Sequence, residues 1–136
     1  MTSPVSNRSV LVVEDEMMVA WMLGAMLVDL GYTVVGTAAR VDQALKMIET
    51  LPMIDAVVLD ITLNGQKSYP VADALIARGI PFVFSTGYNK DNLPEIYQSL
   101  PILQKPYGDS ELAAALIKLL PPGDSEQPTS PIPAVL

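Results

Sequence analysis

The chain contains neither cysteine nor histidine. That excludes disulfides, thiol nucleophiles, Cys/His zinc sites and any acid–base or phosphohistidine role for its own side chains. A metal could be held only by oxygen ligands, which narrows the choice to Mg²⁺, Mn²⁺ or Ca²⁺. Basic charge is also scarce. Eight Lys and Arg stand against fifteen Asp and Glu, for a net charge of −7, and the basic residues are spread singly along the chain. No nucleic-acid footprint is expected from that pattern, so no DNA partner. Long apolar runs are lacking too. The longest, Met17 to Val28, is 12 residues, short of the roughly 20 needed to span a bilayer. The opening Met1-Thr2-Ser3-Pro4 lacks the charged and apolar regions of a signal peptide. The expectation is a cytoplasmic protein with no membrane partner.

What is present is a core. Half of the 136 residues are hydrophobic, enough for one packed domain. Residues 1–8 read as a flexible leader, 9–120 as the domain and 121–136 as a Pro-rich disordered tail. The tail opens on the helix-stopping Pro121-Pro122-Gly123 and holds five of the twelve prolines with no Lys or Arg. Inside the domain two kinds of segment alternate. Strand-like runs fall at Val10–Val13, Tyr32–Gly36, Ile54–Leu59, Phe82–Ser85 and Ile102–Gln104. They are short, rich in β-branched and aromatic residues, and apolar on both faces, as parallel strands covered on both sides must be. Helix-like runs fall at Met17–Leu30, Val41–Thr50, Val71–Arg78, Asp91–Gln98 and Ser110–Leu120. Strict alternation of five strands and five helices predicts a doubly wound α/β fold, (βα)5 and flavodoxin-like. Its five-stranded parallel sheet is expected in the order 2-1-3-4-5.

Ligands in such sheets bind beyond the carboxyl ends of the strands. Glu14, Asp15 and Glu16 follow the first apolar run, Asp60 the third, Thr86 and Gly87 the fourth, and Lys105 and Pro106 the fifth. Glu14, Asp15 and Asp60 crowd three carboxylates together, and these cannot all stay ionised unaided. A divalent cation on oxygen ligands, Mg²⁺, resolves the crowding. Lys105 supplies a fixed positive charge for a phosphoryl oxygen, and Thr86 a hydroxyl. The set suits phosphoryl transfer, with Asp60 as nucleophile. A dehalogenase-type phosphatase needs a second acid two residues after its nucleophile; here that residue is Thr62. A flavin or nucleotide site needs a Gly-rich or Ser/Thr-rich loop after the first strand, where this chain has Glu14-Asp15-Glu16.

Four motifs carry a family resemblance: Val10-Leu11-Val12-Val13-Glu14-Asp15-Glu16, Val58-Leu59-Asp60, Ser85-Thr86-Gly87-Tyr88 and Lys105-Pro106-Tyr107. Together they resemble the receiver domain of two-component response regulators over about residues 8–120. Pro81 to Tyr88 is similar to the motif of the FAT GUY subgroup, mostly stand-alone receivers, with Ser85 where that motif usually has Ala. The resemblance implies that Asp60 accepts phosphate from a histidine kinase, of the HWE type in many relatives, or from a histidine phosphotransfer protein. It implies that Asp15 and Asp60 bind Mg²⁺ directly, Glu14 through water, and Thr62 through its backbone carbonyl. Lys105 would pair with the phosphoryl group through a loop whose Lys105–Pro106 bond is cis, and Thr86 would report the modification. A protein of this kind catalyses only its own phosphorylation and slow dephosphorylation and is not an enzyme in the ordinary sense. Ile102 departs from the pattern, because receivers usually place an aromatic switch residue there; Tyr88, Phe84 or Tyr107 are the substitutes at hand. A receiver-shaped adaptor that works without phosphorylation is the alternative.

One helix has more apolar surface than a core needs. With Val19, Leu23, Met26, Leu27 and Leu30 inward, Trp21, Gly24, Ala25 and Val28 form an outward stripe. Such a stripe marks an interface, for a kinase, a homodimer or the tail.

Overall fold

The computed structural model describes residues 8–87 and 93–120. The expected leader up to residue 7, Tyr88 and the tail lie outside the described residues. The elements run β1 (Ser9–Val13), α1 (Met17–Asp29), β2 (Thr33–Ala38), α2 (Val41–Thr50) and β3 (Ala56–Asp60). A short hairpin of β4 (Thr62–Leu63) and β5 (Gln66–Lys67) follows, then α3 (Tyr69–Arg78), β6 (Phe82–Thr86), a 3₁₀ turn (Glu95–Tyr97), β7 (Ile102–Gln104) and α4 (Asp109–Leu119). Five strands form one parallel sheet in the order β2-β1-β3-β6-β7. Counting the sheet strands alone, this is the predicted 2-1-3-4-5 arrangement.

Alternation along the strands sorts the core into two layers. Leu11, Val13, Val57, Leu59, Phe82 and Phe84 face α2 and α3. Val10, Val12, Ala56, Val58 and Val83 face α1 and α4, where Leu23, Leu27, Leu112 and Leu116 close over them. Burying each such side chain is worth about 1.5–3 kcal/mol relative to leaving it in water. Every residue of β3 and β6 is buried, and their polar residues, Asp60, Ser85 and Thr86, fall at the carboxyl ends. On α2, Val41, Ala44 and Ile48 are buried, with Leu45 packed beside them. Gly79 ends α3 in the left-handed region, at φ 70°, where a side chain would be strained.

The fourth expected helix is not an α-helix in its described part. Residues 91 and 92 lie outside the description, and from Leu93 onward there is only the 3₁₀ turn at Glu95–Tyr97. Pro94 is extended, with ψ 147°, and has no N–H to give. Pro101 follows closely, so the run between them is too short for a full helical ladder. The turn is anchored by aromatic packing. Tyr97 is buried, stacks on Tyr69 at 4.9 Å, and meets Phe84 edge-on. Its hydroxyl donates to Asp73 Oδ1 on α3 at 2.7 Å. Burial and that carboxylate push the Tyr97 hydroxyl up to about 12.

Candidate functional site

The register of the strands sets the site. Val13 pairs with Leu59, so Glu14 stands level with Asp60 across β1 and β3. Asp60 pairs with Ser85 and Thr86 with Gln104, so Lys105 follows one step later. Four separate segments thus end at the same edge, at the point where the chain reverses its direction of winding. Glu14, Asp15, Glu16, Asp60, Thr62, Thr86, Gly87 and Lys105 line one open cleft of about 270 Å³.

Within it, Glu14, Asp15 and Asp60 each place a carboxylate oxygen within 4.8 Å of the others. Glu14 and Asp60 are buried, while Asp15 is half-exposed. The Lys105 ammonium bridges the two buried acids, with Nζ 3.0 Å from Glu14 Oε1 and 3.1 Å from Asp60 Oδ1. The Glu16 backbone N–H donates to Glu14 Oε2 at 3.0 Å. The backbone carbonyl of Asp60 accepts from the Ser68 hydroxyl at 2.6 Å, and Lys105 N–H donates to the Thr86 carbonyl at 2.8 Å. The Lys105–Pro106 bond is cis, as the resemblance implied.

The electrostatics show a crowded anion site. Burial first, and the Glu14 charge second, raise the Asp60 carboxyl to about 7 from an ordinary value of 3.8, with Lys105 opposing. Burial lowers the Lys105 ammonium, but its bonds and charges from Glu14 and Asp60 outweigh it and the net direction is upward. One lysine between three acids leaves the cleft short of positive charge, and hard oxygen ligands of this kind suit Mg²⁺. The residues present fit that ion on the observation of the crowded, oxygen-only donor set.

Sequence reasoning placed Glu14, Asp15, Asp60, Thr86 and Lys105 at one edge, the resemblance added Thr62, and the structure brings all six to one cleft. It missed the β4–β5 hairpin. That hairpin turns on Asn64 and Gly65, at φ 51° and 80°; Asn-Gly is the two-residue turn that tolerates positive φ at both positions, so the signal was in the sequence. The Asn64 backbone N–H donates to Asp15 Oδ2 at 2.8 Å, so the turn holds one of the three acids in place. The Thr62 hydroxyl accepts from Lys67 Nζ at 3.1 Å. Ile102, in place of the usual aromatic, is half-buried against the α2/α3 core.

Fold and cleft together define a signalling module of the receiver type, and the chain belongs to the response regulator receiver domain family, whose pattern it matches over residues 10–117. Receiver domains are signalling proteins of two-component systems rather than classical enzymes. Among solved structures, SdrG from Sphingomonas melonis Fr1 is 44% identical, with a TM-score of 0.75 over 87% of this chain and 99% of that one. The beryllofluoride-activated conformation of SdrG is also similar, with a TM-score of 0.73. The receiver domain of the sensor histidine kinase PA1611 from Pseudomonas aeruginosa, solved with a magnesium ion coordinated in its active site cleft, is 26% identical. Its TM-score is 0.71 over 82% of this chain and 96% of that one. The transcriptional regulatory protein PdtaR of Mycobacterium tuberculosis is 29% identical over 126 residues, 85% of this chain. The chain spans 61% of the length of that relative. Among the described residues no helix is long and apolar enough to cross a membrane.

Proposed function

We propose that this protein is a stand-alone response regulator whose Asp60 accepts a phosphoryl group from a histidine kinase or a histidine phosphotransfer protein. The observation that carries the reading is the Asp60 carboxylate itself: buried at the end of β3, 3.1 Å from Lys105 Nζ, and within 4.8 Å of two further acids. Asp15 and Asp60 would hold Mg²⁺ directly, with Glu14 acting through water and Thr62 through its backbone carbonyl. The ion, when bound, neutralises charge that builds on the phosphoryl oxygens. The magnesium-bound PA1611 receiver supports that assignment by analogy.

The chain's own residues do the rest. An Asp60 oxygen attacks phosphorus, the P–O bond forms as the donor's P–N bond breaks, and the donor imidazole keeps the electron pair and takes up a proton. Lys105 neutralises a phosphoryl oxygen, and the Thr86 hydroxyl, on the same cleft wall, is placed to donate to another. The receiver reading is supported by SdrG, 44% identical and matched over 99% of the solved chain. The donor is expected to dock on α1, where Met17, Met18, Trp21, Met22 and Val28 are exposed apolar side chains and Met22 lines a groove with Lys105 and Pro106. A kinase of the HWE type is the donor that the FAT GUY resemblance suggests; a homodimer across α1 is the competing use of that face.

Incubation with acetyl phosphate and Mg²⁺, read by intact mass, tests the proposal. One phosphoryl adduct that disappears in Asp60→Asn is expected. No adduct on the wild-type protein would favour the phosphorylation-independent adaptor instead.

A further inference from the structure

The cleft and the apolar groove beside α1 share a wall. Lys105-Pro106-Tyr107 forms one side of a groove of about 200 Å³, and Met22 and Met26 of α1 stand on the other. The Tyr107 side chain also packs into the α1/α4 core layer. Ser85 stands level with Asp60 across the β3–β6 pairing. Alternation along β6 turns its side chain to the same layer as Val83, towards α1 and α4. Ser85 is only 2% exposed, and its Oγ is the one buried side-chain polar atom among the described residues with no hydrogen-bond partner. The loop that carries Tyr107 is tied to β6 one residue beyond Ser85, through the 2.8 Å bond from Lys105 N–H to the Thr86 carbonyl.

We propose that Ser85 and Tyr107 form a two-hydroxyl coupling between the acid cleft and the α1 groove, so that the state of Asp60 is read out in the groove's wall. It rests on the phosphoacceptor reading of Asp60. A buried hydroxyl without a partner is a group with two settings. Left alone, it stays unsatisfied, as here. If Tyr107 closes on it, the bond is made and the tyrosine ring moves with it, which reshapes the wall facing Met22 and Met26. Both side chains lie in the layer between the sheet and α1/α4, and the move is small: Ser85 Oγ has no closed hydrogen bond, yet against the burial that raises the Tyr107 hydroxyl's pKa, hydrogen bonding towards Ser85 already draws it down. The trigger is next door. Lys105 lies two residues before Tyr107 and pairs with Asp60, so a phosphoryl group that draws the ammonium onto new oxygens disturbs the segment bearing the tyrosine. Ile102 offers no ring for the usual relay on the opposite face of the sheet, where it packs with Phe84; the Ser85–Tyr107 pair lies on the face that carries α1. Coupling of this kind is reciprocal, so an occupant of the groove changes the affinity of the cleft for a phosphoryl group. Tyr107 and Ser85 are positioning residues in this scheme and touch no reacting atom.

The test uses the full chain labelled with ¹³C in its methionine methyl groups, Mg²⁺, and beryllofluoride as the phosphoryl probe. Bound beryllofluoride is followed separately by ¹⁹F resonance. In the wild-type protein the Met22 and Met26 methyl signals should shift on binding. Met47, packed in the core layer on the other face of the sheet, reports that each variant is folded. Ser85→Ala and Tyr107→Phe should each still bind beryllofluoride while losing most of the Met22 and Met26 shift. The double variant should lose no more than either single one, because both remove the same bond. Wild-type shifts retained in both variants, with the probe bound, would overturn the coupling. Failure of the underlying reading looks different: no bound fluoride signal in the wild-type protein, which would overturn the phosphoacceptor assignment and the coupling with it.

Discussion

Lys105 Nζ sits 3.1 Å from Asp60 Oδ1, and the same ammonium holds Glu14 Oε1 at 3.0 Å. The lysine thus neutralises Asp60, the proposed nucleophile, and its most buried neighbour at once, and removing it should act twice. Lys105→Met leaves the cleft with uncompensated acids, which is costly when charges are buried. We expect a urea-unfolding loss of about 1–3 kcal/mol without Mg²⁺, below the roughly 3–5 kcal/mol of a fully buried pair because the lysine keeps contact with solvent. Phosphorylation by acetyl phosphate should fall on the order of 100-fold, as when one transition-state donor is lost. A variant that phosphorylates at the wild-type rate would remove Lys105 from the reaction.

The crowded acids also set a pH dependence. The Asp60 carboxyl is held near 7 in the folded chain, above its ordinary value of 3.8. Folding therefore favours its protonated form. That contribution to stability is fully present below about pH 4 and is lost as pH rises through about 7. A cation can take the proton's place, so Mg²⁺ should raise the melting temperature more at about pH 8 than at about pH 5. Asp60→Asn has nothing to titrate there. Without Mg²⁺ it should melt above the wild-type protein at the higher pH, with the gap closing on acidification. Parallel slopes for the two proteins would show that Asp60 does not carry the effect.

Tyr97 is the anchor of the 3₁₀ turn. Tyr97→Phe keeps the stack on Tyr69 but deletes the 2.7 Å bond to Asp73. We expect a loss of about 1 kcal/mol, the usual worth of one hydrogen bond, with somewhat more if Asp73 is left without a new partner. Amide exchange between Leu93 and Leu100 should quicken while β6 stays protected. Exchange that is unchanged across the turn would mean that ring packing alone holds it.

The exposed face of α1 predicts a separation of two activities. Trp21 is 70% exposed and Met17 83%, so Trp21→Glu should leave folding and acetyl phosphate labelling intact. It should slow transfer from a cognate kinase by roughly tenfold or more, as loss of a central aromatic anchor does at other interfaces. If the variant instead turns a dimer into a monomer and transfer is untouched, the face is a self-association seam.

Much of this was written in patterning that a reader can follow. Strands buried on both faces need apolar runs, so β1, β3 and β6 stand out, and whatever polar residue follows each run must lie at the sheet's edge. That is why Glu14, Asp60, Thr86 and Lys105 could be grouped from the chain alone. Contacts that depend on distant packing were less visible. The run Asp91–Gln98 reads as helix-like, but the extended Pro94 and the packing of Tyr97 against Tyr69 and against Phe84 reduce it to a 3₁₀ turn in its described part. The β4–β5 hairpin was marked by Asn64-Gly65 and overlooked, because its strands are two residues long and show no period. The unpaired Ser85 hydroxyl has no sequence signature at all: a serine in an apolar strand says nothing of where the neighbouring tyrosine will stop.

The central claim is that one carboxylate, at position 60, carries the phosphoryl group. An acyl phosphate is reduced by borohydride to an alcohol, so an aspartyl phosphate becomes homoserine and keeps its place in the chain. The full protein, phosphorylated with acetyl phosphate and Mg²⁺, then reduced and mapped by peptide mass spectrometry, should show homoserine at position 60 and nowhere else. Homoserine at Asp15, its glutamate-derived counterpart at Glu14, or no reduced residue at all would contradict the account.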